Sequence, residues 1–269
     1  MEQHTNKLEN INKILNIEIG DYEKAGHKLE NIIEKYKISN KELEQFAYIS
    51  SHDLKEPLRM ITSFLELLQN RYGADLDKDA NEFIEFAFEG AKRLDRMISD
   101  LLKYSLIGKE EEKFEYLNGE QILETVLINL RPLIKDNNAV ITHDPMPSIY
   151  ANMRMMNQLF QNVLGNAIKY HGNKQPKIHV SSNKLDDKFV FSIKDNGIGM
   201  ETKYLEQIFT IFNRLNTQEE YNGTGIGLAI SEKIVQKHNG NIWAESELGK
   251  GTTFYFTIPI NEFELILNV

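Results

Sequence analysis

Apolar side chains recur every seven residues between Leu8 and Phe46, and this spacing limits the possible folds more than any other feature of the chain. One core position of the repeat is occupied by Leu8, Leu15, Tyr22, Leu29, Tyr36 and Leu43, and the other by Ile11, Ala25, Ile32 and Phe46. A stripe this narrow and long predicts a coiled coil, and we expect a parallel dimer. The alternative is one amphipathic helix packed on its own domain. Gly20 weakens a helix by roughly 1 kcal/mol relative to Ala, so we expect a break near it.

A second helical pattern extends to about Arg71, pauses over residues 73–77 and then resumes. After the pause, apolar or small residues recur three or four positions apart, namely Phe83, Ala87, Gly90, Leu94, Met97, Leu101 and Tyr104. This pattern predicts an antiparallel helical hairpin. Two such hairpins paired across a dimer axis would form a four-helix bundle and bury stripes that neither could bury alone.

After Gly108 the pattern changes to short strand-like runs that alternate with helical stretches. The strand-like runs are 139–142, 177–181 and 189–193, and the helical stretches are about 120–136, 152–170 and 226–238. This alternation predicts an α/β sandwich, so the expected fold class of the whole chain is α+β. We expect a coiled-coil signalling helix over 1–39, a dimerisation hairpin over 40–107 and the sandwich domain over 113–261, with a charged linker from Lys109 to Lys113.

Composition excludes several classes of function. The net charge of −9 and the pI near 5.4 argue against a general nucleic-acid binder, which needs many Lys and Arg side chains to neutralise phosphates. The absence of cysteine excludes disulfides, thiolate metal sites and thiol catalysis. No apolar run approaches the ~20 residues that cross a bilayer, and the polar start is not a signal peptide. We therefore expect a soluble, cytoplasmic chain, although a longer parent protein could be membrane-bound.

His52 lies in the first hairpin helix and is followed directly by Asp53. An exposed imidazole is a usable nucleophile near neutral pH when a neighbouring carboxylate holds its second ring nitrogen. Pro57 removes a helix hydrogen bond one turn later and should loosen the helix there. The alternative is an ordinary solvated His–Asp pair on the surface.

Asn162, Asn166 and Lys169 are spaced four and three residues apart, so one helix face can present all three to a single site. Amide oxygens are hard ligands suited to Mg²⁺, and a nearby ammonium group can neutralise phosphate charge. Tyr170 offers a ring and a hydroxyl group beside them. Solvated amides on an exposed helix are the alternative.

Asp195 follows a buried-looking strand and begins the run Asp195-Asn196-Gly197-Ile198-Gly199-Met200. Glycines in such a run let the backbone approach a planar ligand closely, and a carboxylate at the strand end can accept a hydrogen bond from an adenine amino group. An ordinary turn is one alternative. A calcium loop is another, but its other acidic ligands are missing.

A second group of glycines, in Gly223-Thr224-Gly225-Ile226-Gly227-Leu228, opens a predicted helix. Backbone N–H groups at a helix start, together with the helix dipole, can bind phosphate without a basic side chain. A dinucleotide site would need a different strand context, which is absent. The segment between the glycine groups predicts a mobile lid that is anchored by Phe209 and Phe212 and also contains Arg214. For the two phenylalanines, simple core packing is the alternative.

In this order, these four signals and the phenylalanine-containing segment between the glycine groups resemble the H, N, G1, F and G2 boxes of the histidine kinase family, over about residues 40–260. The resemblance implies that His52 is the phosphoacceptor, Asp53 its acid/base partner, Asn166 the chief Mg²⁺ ligand and Asp195 the adenine reader. It further implies an ATP site built from Asn162, Lys169, Tyr170, Gly197, Gly199, Arg214, Gly223, Thr224, Gly225, Gly227 and Leu228. The domain over 113–261 would then be the catalytic, ATP-binding domain.

The activity implied by the resemblance is autophosphorylation of His52 from Mg-ATP in a homodimer, followed by transfer to an aspartate of a response regulator receiver domain. Two alternatives remain at this point. The ATP-binding half also resembles clamp-type ATPases such as Hsp90-type chaperones, and a degenerate relative could bind nucleotide as a signalling scaffold without kinase activity. A His on a dimeric hairpin argues against the first, and intact Asn166 and Asp195 argue against the second.

Overall fold

The computed structural model describes residues 20, 22, 24, 26–35, 53–108, 113–213 and 223–261. The chain forms two compact units, residues 1–52 and 53–269. In the first unit residues 26–35 are helical, and Leu29 and Ile32 of the predicted stripe are 59% and 55% exposed. Most of the predicted coiled coil lies outside the described residues.

Two helices begin the second unit, and they confirm the predicted hairpin. Helix α1 covers residues 53–72 and continues through Pro57, and helix α2 covers Lys78–Leu106. Large apolar side chains on both helices are at least 43% exposed, namely Met60, Ile61, Phe64, Leu67, Leu68, Phe83 and Phe86. An exposed apolar surface of this extent marks an interaction surface, as the predicted pairing of two hairpins requires.

The turn of the hairpin is held by polar side chains at the start of α2. Asp77 caps the helix by accepting a hydrogen bond from the Ala80 N–H at 2.8 Å. The Asn81 amide donates to the Gly73 carbonyl at 2.9 Å and accepts from the Gln69 amide at 3.1 Å. The last contact joins the end of α1 to the start of α2 and therefore fixes the register of the two helices.

The rest of the described chain forms a sandwich of helices on a sheet, which confirms the predicted α+β class. Its helices are α3 (Gly119–Asn129), α4 (Arg131–Asp136), α5 (Met153–Lys169) and α6 (Gly227–Lys237). Its strands are β1 (Glu115–Asn118), β2 (Val140–His143), β3 (Ser148–Ala151), β4 (Lys177–Leu185), β5 (Lys188–Asp195), β6 (Ile242–Glu247) and β7 (Gly251–Pro259).

Five of these strands form the main sheet, in the order β2-β4-β5-β7-β6. β2 runs parallel to β4, whereas the other neighbours are antiparallel, and β1 pairs with β3 in a separate two-stranded sheet. The helix predicted over about 120–136 is instead two helices, α3 and α4. Pro132 lies at the start of α4, where its missing N–H interrupts the hydrogen bonding that would continue α3.

Alternate residues of the central strands face the helices and form the core, as the two-residue period of a strand requires. Phe191 of β5 stacks on Phe256 of β7 with ring centroids 4.9 Å apart. Phe160 of α5 meets both rings edge-on, at 5.9 and 5.3 Å. This aromatic group joins the longest helix of the sandwich to the middle of the sheet.

Helices α5 and α6 run antiparallel and are joined near both ends. At one end the buried His238 ring accepts a hydrogen bond from the Asn152 N–H, at 3.1 Å. At the other end the Asn162 amide donates to the Gly227 carbonyl at 2.8 Å. Since Asn162 precedes the last two turns of α5, the end of α5 extends past the first turn of α6. Across the described ranges, no helix combines the length and apolar character needed to cross a membrane.

We predict that Phe256→Ala lowers the free energy of unfolding by about 3–5 kcal/mol, because it leaves a cavity between two other buried rings. Trp243→Ala is the control, since Trp243 is 38% exposed and stacks on Tyr255 on the opposite face of the sheet. Urea unfolding of both variants tests the prediction. Equal losses in the two variants would show that the core does not depend on the Phe256 contact.

Candidate functional site

A cavity of about 770 Å³ lies where α5 ends, α6 begins and the turn after β5 passes between them. Its lining contains most of the residues singled out in the sequence: Asn162, Asn166, Lys169, Tyr170, Asp195, Gly199, Gly223, Thr224, Gly225, Gly227 and Leu228. Gly197 is buried within the same turn. His52 and Arg214 lie outside the described residues. Asp53 is exposed on α1 and does not line the cavity.

Asp195 is held at the end of β5 by two backbone amides. Its Oδ1 atom accepts hydrogen bonds from the Gly197 N–H at 2.8 Å and from the Thr252 N–H at 3.0 Å. Burial raises the pKa of Asp195, and the two amide hydrogen bonds oppose that shift. Neither bond uses Oδ2, so this oxygen can accept a hydrogen bond from a ligand such as an adenine amino group.

The turn after Asp195 requires glycine because other backbone segments approach it closely. A Cβ atom on Gly197 would collide with the carbonyl oxygen of Tyr170, which also accepts a hydrogen bond from the Ile198 N–H at 2.9 Å. Gly199 has a φ of 63°, and a Cβ atom there would collide with the Glu247 carbonyl oxygen. The turn is thus fixed between the end of α5 and the β6–β7 hairpin.

The polar residues of α5 have different surroundings despite their regular spacing. Asn162 uses its amide within the protein, since it donates to the Gly227 carbonyl and its Oδ1 accepts from the Gln158 amide at 2.7 Å. Asn166 lines the cavity one turn later. Lys169 donates to the Tyr170 hydroxyl at 3.0 Å, and its ammonium group lies 4.5 Å from the centre of that ring. Asn162 therefore positions α6, whereas Asn166 and Lys169 lie where a ligand can reach them.

We call residues 223–227 the glycine run. Helix α6 begins at the end of this run without a side-chain cap, so its first N–H groups can bind an anion.

The Phe212 N–H donates to the Gly225 carbonyl at 3.0 Å and joins the preceding segment to the run. Phe209 is buried in the core, but the Phe212 side chain is 51% exposed. Of the two predicted lid anchors, Phe209 therefore packs in the core, whereas the Phe212 ring does not.

The sequence predicts Asn166 as a Mg²⁺ ligand, and the residues around it determine which other protein ligands the ion could have. In the ranges that the structure describes, no three His, Asp or Glu side chains come close enough to hold a metal ion together. A Mg²⁺ ion bound at Asn166 would therefore take most of its ligands from phosphate oxygens and water, which is how this ion commonly binds nucleotides.

Two domain families match the chain in the order that the motifs suggest. Residues 42–110 match the His Kinase A (phospho-acceptor) domain. Residues 151–262 match the domain of the histidine kinase-, DNA gyrase B-, and HSP90-like ATPases. The chain belongs to the histidine kinase family. The ATPase match includes Asn162, Asn166, Asp195 and the glycine run, so the cavity lies mainly in that domain.

Relatives and solved structures agree with this membership. Cyanobacterial phytochrome A of Nostoc sp. is 48% identical over 222 residues, which cover 82% of this chain and 29% of the relative. Sensor protein kinase WalK of Staphylococcus epidermidis is 33% identical over 244 residues, which cover 88% and 39%. The histidine kinase ThkA, solved in complex with response regulator protein TrrA, shares the fold with a TM-score of 0.59 and 22% identity, covering 84% of this chain and 65% of that one. The chain thus spans well under half the length of these two relatives.

The motifs did not indicate that the hairpin of this histidine kinase contributes to the cavity. One face of α2, which we call its charged face, lines the cavity with Arg93, Arg96, Asp100 and Lys103. The Thr224 hydroxyl of the glycine run donates to Asp100 Oδ2 at 2.8 Å. The only signal in the sequence is the spacing of these four residues by three and four positions, which an ordinary solvated helix face shares.

We predict that Asp195→Asn weakens nucleotide binding by roughly 1.5–3 kcal/mol, the scale of a hydrogen bond to a charged group. Asparagine can keep the Oδ1 acceptor for the two amides, but it replaces Oδ2 with an NH₂ group that cannot accept from adenine. Calorimetric titration with ATP measures the change. Asp187→Asn is the control, because Asp187 is exposed at the opposite end of β5. Unchanged ATP affinity in Asp195→Asn would refute the adenine role.

Proposed function

We propose that this chain is the catalytic core of a sensor histidine kinase, which transfers the γ-phosphoryl group of Mg-ATP to its own His52. The observation that carries the proposal is the position of the Asp195 carboxylate in one cavity with Asn166, Lys169 and the open start of α6. A planar base needs an acceptor at one end of such a cavity, and a triphosphate needs donors and a cation at the other. Membership of the family supplies the second support.

In this function each group of the cavity has a separate task. Asp195 Oδ2 accepts a hydrogen bond from the adenine amino group, and the turn over 197–199 lies against the base. Lys169 and the first N–H groups of α6 compensate the negative charge of the phosphates. Asn166 would hold Mg²⁺ through its side-chain oxygen, and the ion would supply positive charge against the phosphates. Catalysis then consists chiefly of positioning and charge stabilisation.

The acceptor step requires His52 to present an unprotonated ring nitrogen to the γ-phosphorus. A nitrogen–phosphorus bond forms while the bond to the leaving oxygen breaks, and ADP departs with that electron pair. The proton on the second ring nitrogen is held by a carboxylate, for which Asp53 is the adjacent residue in the sequence. Asp53 of α1 does not line the cavity, so the transfer requires the nucleotide and the beginning of α1 to come together during the reaction.

We further propose a parallel homodimer, in which the apolar surfaces of two hairpins form a four-helix bundle. The support is the row of exposed apolar side chains on α1 and α2. The proposed boundaries remain 1–39 for the signalling helix, 40–107 for the hairpin and 113–261 for the ATP-binding domain. The phosphohistidine would pass to an aspartate of a response regulator, since the similar kinase ThkA was solved with such a protein.

We predict that His52→Ala abolishes labelling of the protein by γ-labelled ATP while ATP affinity stays nearly unchanged, because acceptor and nucleotide lie on different elements. The wild-type label should be labile in acid and stable in alkali, as a phosphoramidate is. His27→Ala is the control, since His27 is an exposed histidine in the helical segment 26–35.

Two outcomes would contradict the assignment of His52. Persistent label on His52→Ala would place the acceptor elsewhere. Release of free phosphate by the wild-type chain, with no label on the protein, would favour a clamp-type ATPase instead.

We predict that Glu56→Thr or Glu56→Asn raises phosphatase activity towards the phosphorylated regulator. Members of the family with strong phosphatase activity usually carry Thr or Asn four residues after the phosphoacceptor, where a neutral side chain can orient water. Here that position is Glu56, exposed on α1, whose carboxylate repels a phosphoaspartate. The wild-type chain should therefore be a strong kinase and a weak phosphatase.

The measurement is the decay of purified phosphorylated regulator, with and without the unphosphorylated chain and ADP. Glu66→Thr is a matched control, because Glu66 is exposed on the same helix but far from the acceptor. If the wild-type chain already speeds decay many-fold and Glu56→Thr adds nothing, the charge argument is wrong.

A further inference from the structure

Helices α2 and α6 lie side by side and run in the same direction. Along α2, Asp100 accepts a hydrogen bond from Thr224, and the Tyr104 carbonyl then accepts one from Lys233 Nζ at 3.0 Å. One further turn along, Gly108 lies against the side chain of Lys237. The contacts along α2 thus follow the chain from the glycine run into α6, so the part of α2 before Asp100 extends past the start of α6.

This earlier part of α2 carries two arginines of the charged face. Arg96 and Arg93 precede Asp100 by four and seven residues, or about 6 and 10 Å along the helix axis. Both line the cavity together with Asn166 and Lys169. An anion is favoured just beyond a helix N-terminus, so the two guanidinium groups lie on the side where α6 would hold phosphates.

The two arginines differ in what they already bind. Arg96 is half exposed, donates to the Lys92 carbonyl at 3.4 Å and lies 3.9 Å from a Glu89 oxygen. Arg93 Nε is buried and has no hydrogen-bond partner within the part of the chain that the structure describes. A buried donor of a charged group without an acceptor is unfavourable. A ligand that supplies an oxygen acceptor would remove this penalty.

Three acids of the cavity already have contacts with other groups, which lowers their competition for Arg93. Asp100 lies 3.0 Å from Lys103 Nζ as well as accepting from Thr224. Glu201 lies 2.8 Å from Lys203 Nζ, and Asp195 accepts from two amides. Of the four acids that line the cavity, Asp100 and Glu201 thus already lie against lysines, and the other two are Asp95 and Asp195.

The register of the hairpin also places Arg93 near the reacting end of α1. Gln69 of α1 contacts Asn81 of α2, and in an antiparallel pair each step forward along α1 matches a step back along α2. Two residues of the hairpin are therefore level when their numbers add up to the same total as 69 and 81. By that count, Asp53 is level with Met97, about one helical turn beyond Arg93. Arg93 thus lies in the cavity wall close to the level of the residue that follows the proposed acceptor.

We propose that Arg93 binds the γ-phosphate of ATP, so that the hairpin itself supplies part of the nucleotide site. A guanidinium group can donate two parallel hydrogen bonds to phosphate oxygens and can stabilise the charge on the phosphoryl group during transfer. This inference rests on the proposed function for the identity of the nucleotide. It adds a residue outside the motifs, and it makes the site distinguish ATP from ADP.

The test is calorimetric titration of the full chain with Mg²⁺ and either ADP or the non-transferable analogue AMPPNP. Arg93→Gln should weaken AMPPNP binding about tenfold, the scale of one hydrogen bond between charged groups, and ADP binding less than about twofold. Arg71→Gln is the control, because Arg71 is exposed at the turn end of the hairpin and does not line the cavity, and it should change neither affinity by more than about twofold. Arg93→Lys keeps the charge without the planar fork and should lie between wild type and Arg93→Gln.

An unchanged ratio of AMPPNP to ADP affinity in Arg93→Gln would overturn the proposal. So would an equal loss for both ligands accompanied by a lower melting temperature, because that result would mean a structural role. If Arg93→Gln does not fold, Arg93→Lys decides, since a wild-type ratio there contradicts a bidentate contact. Failure of the proposed function is seen separately: the wild-type chain would take no label from γ-labelled ATP, whereas the Arg93 effect on analogue binding would persist.

Discussion

The antiparallel packing of α5 against α6 is the contact on which the nucleotide site depends. The Asn162 amide joins the two helices at the Gly227 carbonyl, and the buried His238 ring joins them again at Asn152. With these two contacts fixed, the cavity-facing residues at the end of α5 extend just past the uncapped N–H groups at the start of α6. A small sliding of one helix would separate the lysine and the amide oxygen from the helix start, because each turn advances about 5.4 Å. The aromatic group of Phe160, Phe191 and Phe256 then holds α5 on the sheet, and strand β5 of that sheet ends at Asp195.

Helix α2 presents two different surfaces, and helical geometry keeps them apart. Its apolar residues, such as Phe83 and Leu94, remain exposed and suit a second hairpin. Its charged face lines the cavity, with Asp100 bonded to the glycine run. Since successive residues turn by about 100°, the two sets lie about a third of a turn apart on the helix surface. One helix can therefore take part in the proposed dimer and in the nucleotide site without conflict between the two.

Local signals in the sequence were enough to predict the hairpin, α5, α6, β4 and β5. Each has either a long 3–4 periodicity or an apolar run bounded by turn residues, and neither signal depends on distant parts of the chain. The four-residue strands β1 and β3 are too short to show a period, and Pro132 divides a helix that periodicity alone predicted as continuous. The charged face of α2 could not be assigned to the site from its own residues, because the hydrogen bond from Thr224 to Asp100 joins positions 124 residues apart.

Asn162 illustrates why motif residues do not all share one task. Its spacing from Asn166 and Lys169 predicted three side chains on one site, and all three do line the cavity. However, the donor and acceptor of Asn162 are both used inside the protein, by Gly227 and Gln158. Spacing determines which face of a helix a residue occupies, whereas the neighbouring element determines what its polar atoms bind. Thr224 shows the same division: its backbone belongs to the glycine run, but its hydroxyl group binds α2. A ligand that orders the glycine run therefore changes the energy of the contact with the hairpin, and the hairpin changes the affinity of the run for the ligand by the same amount.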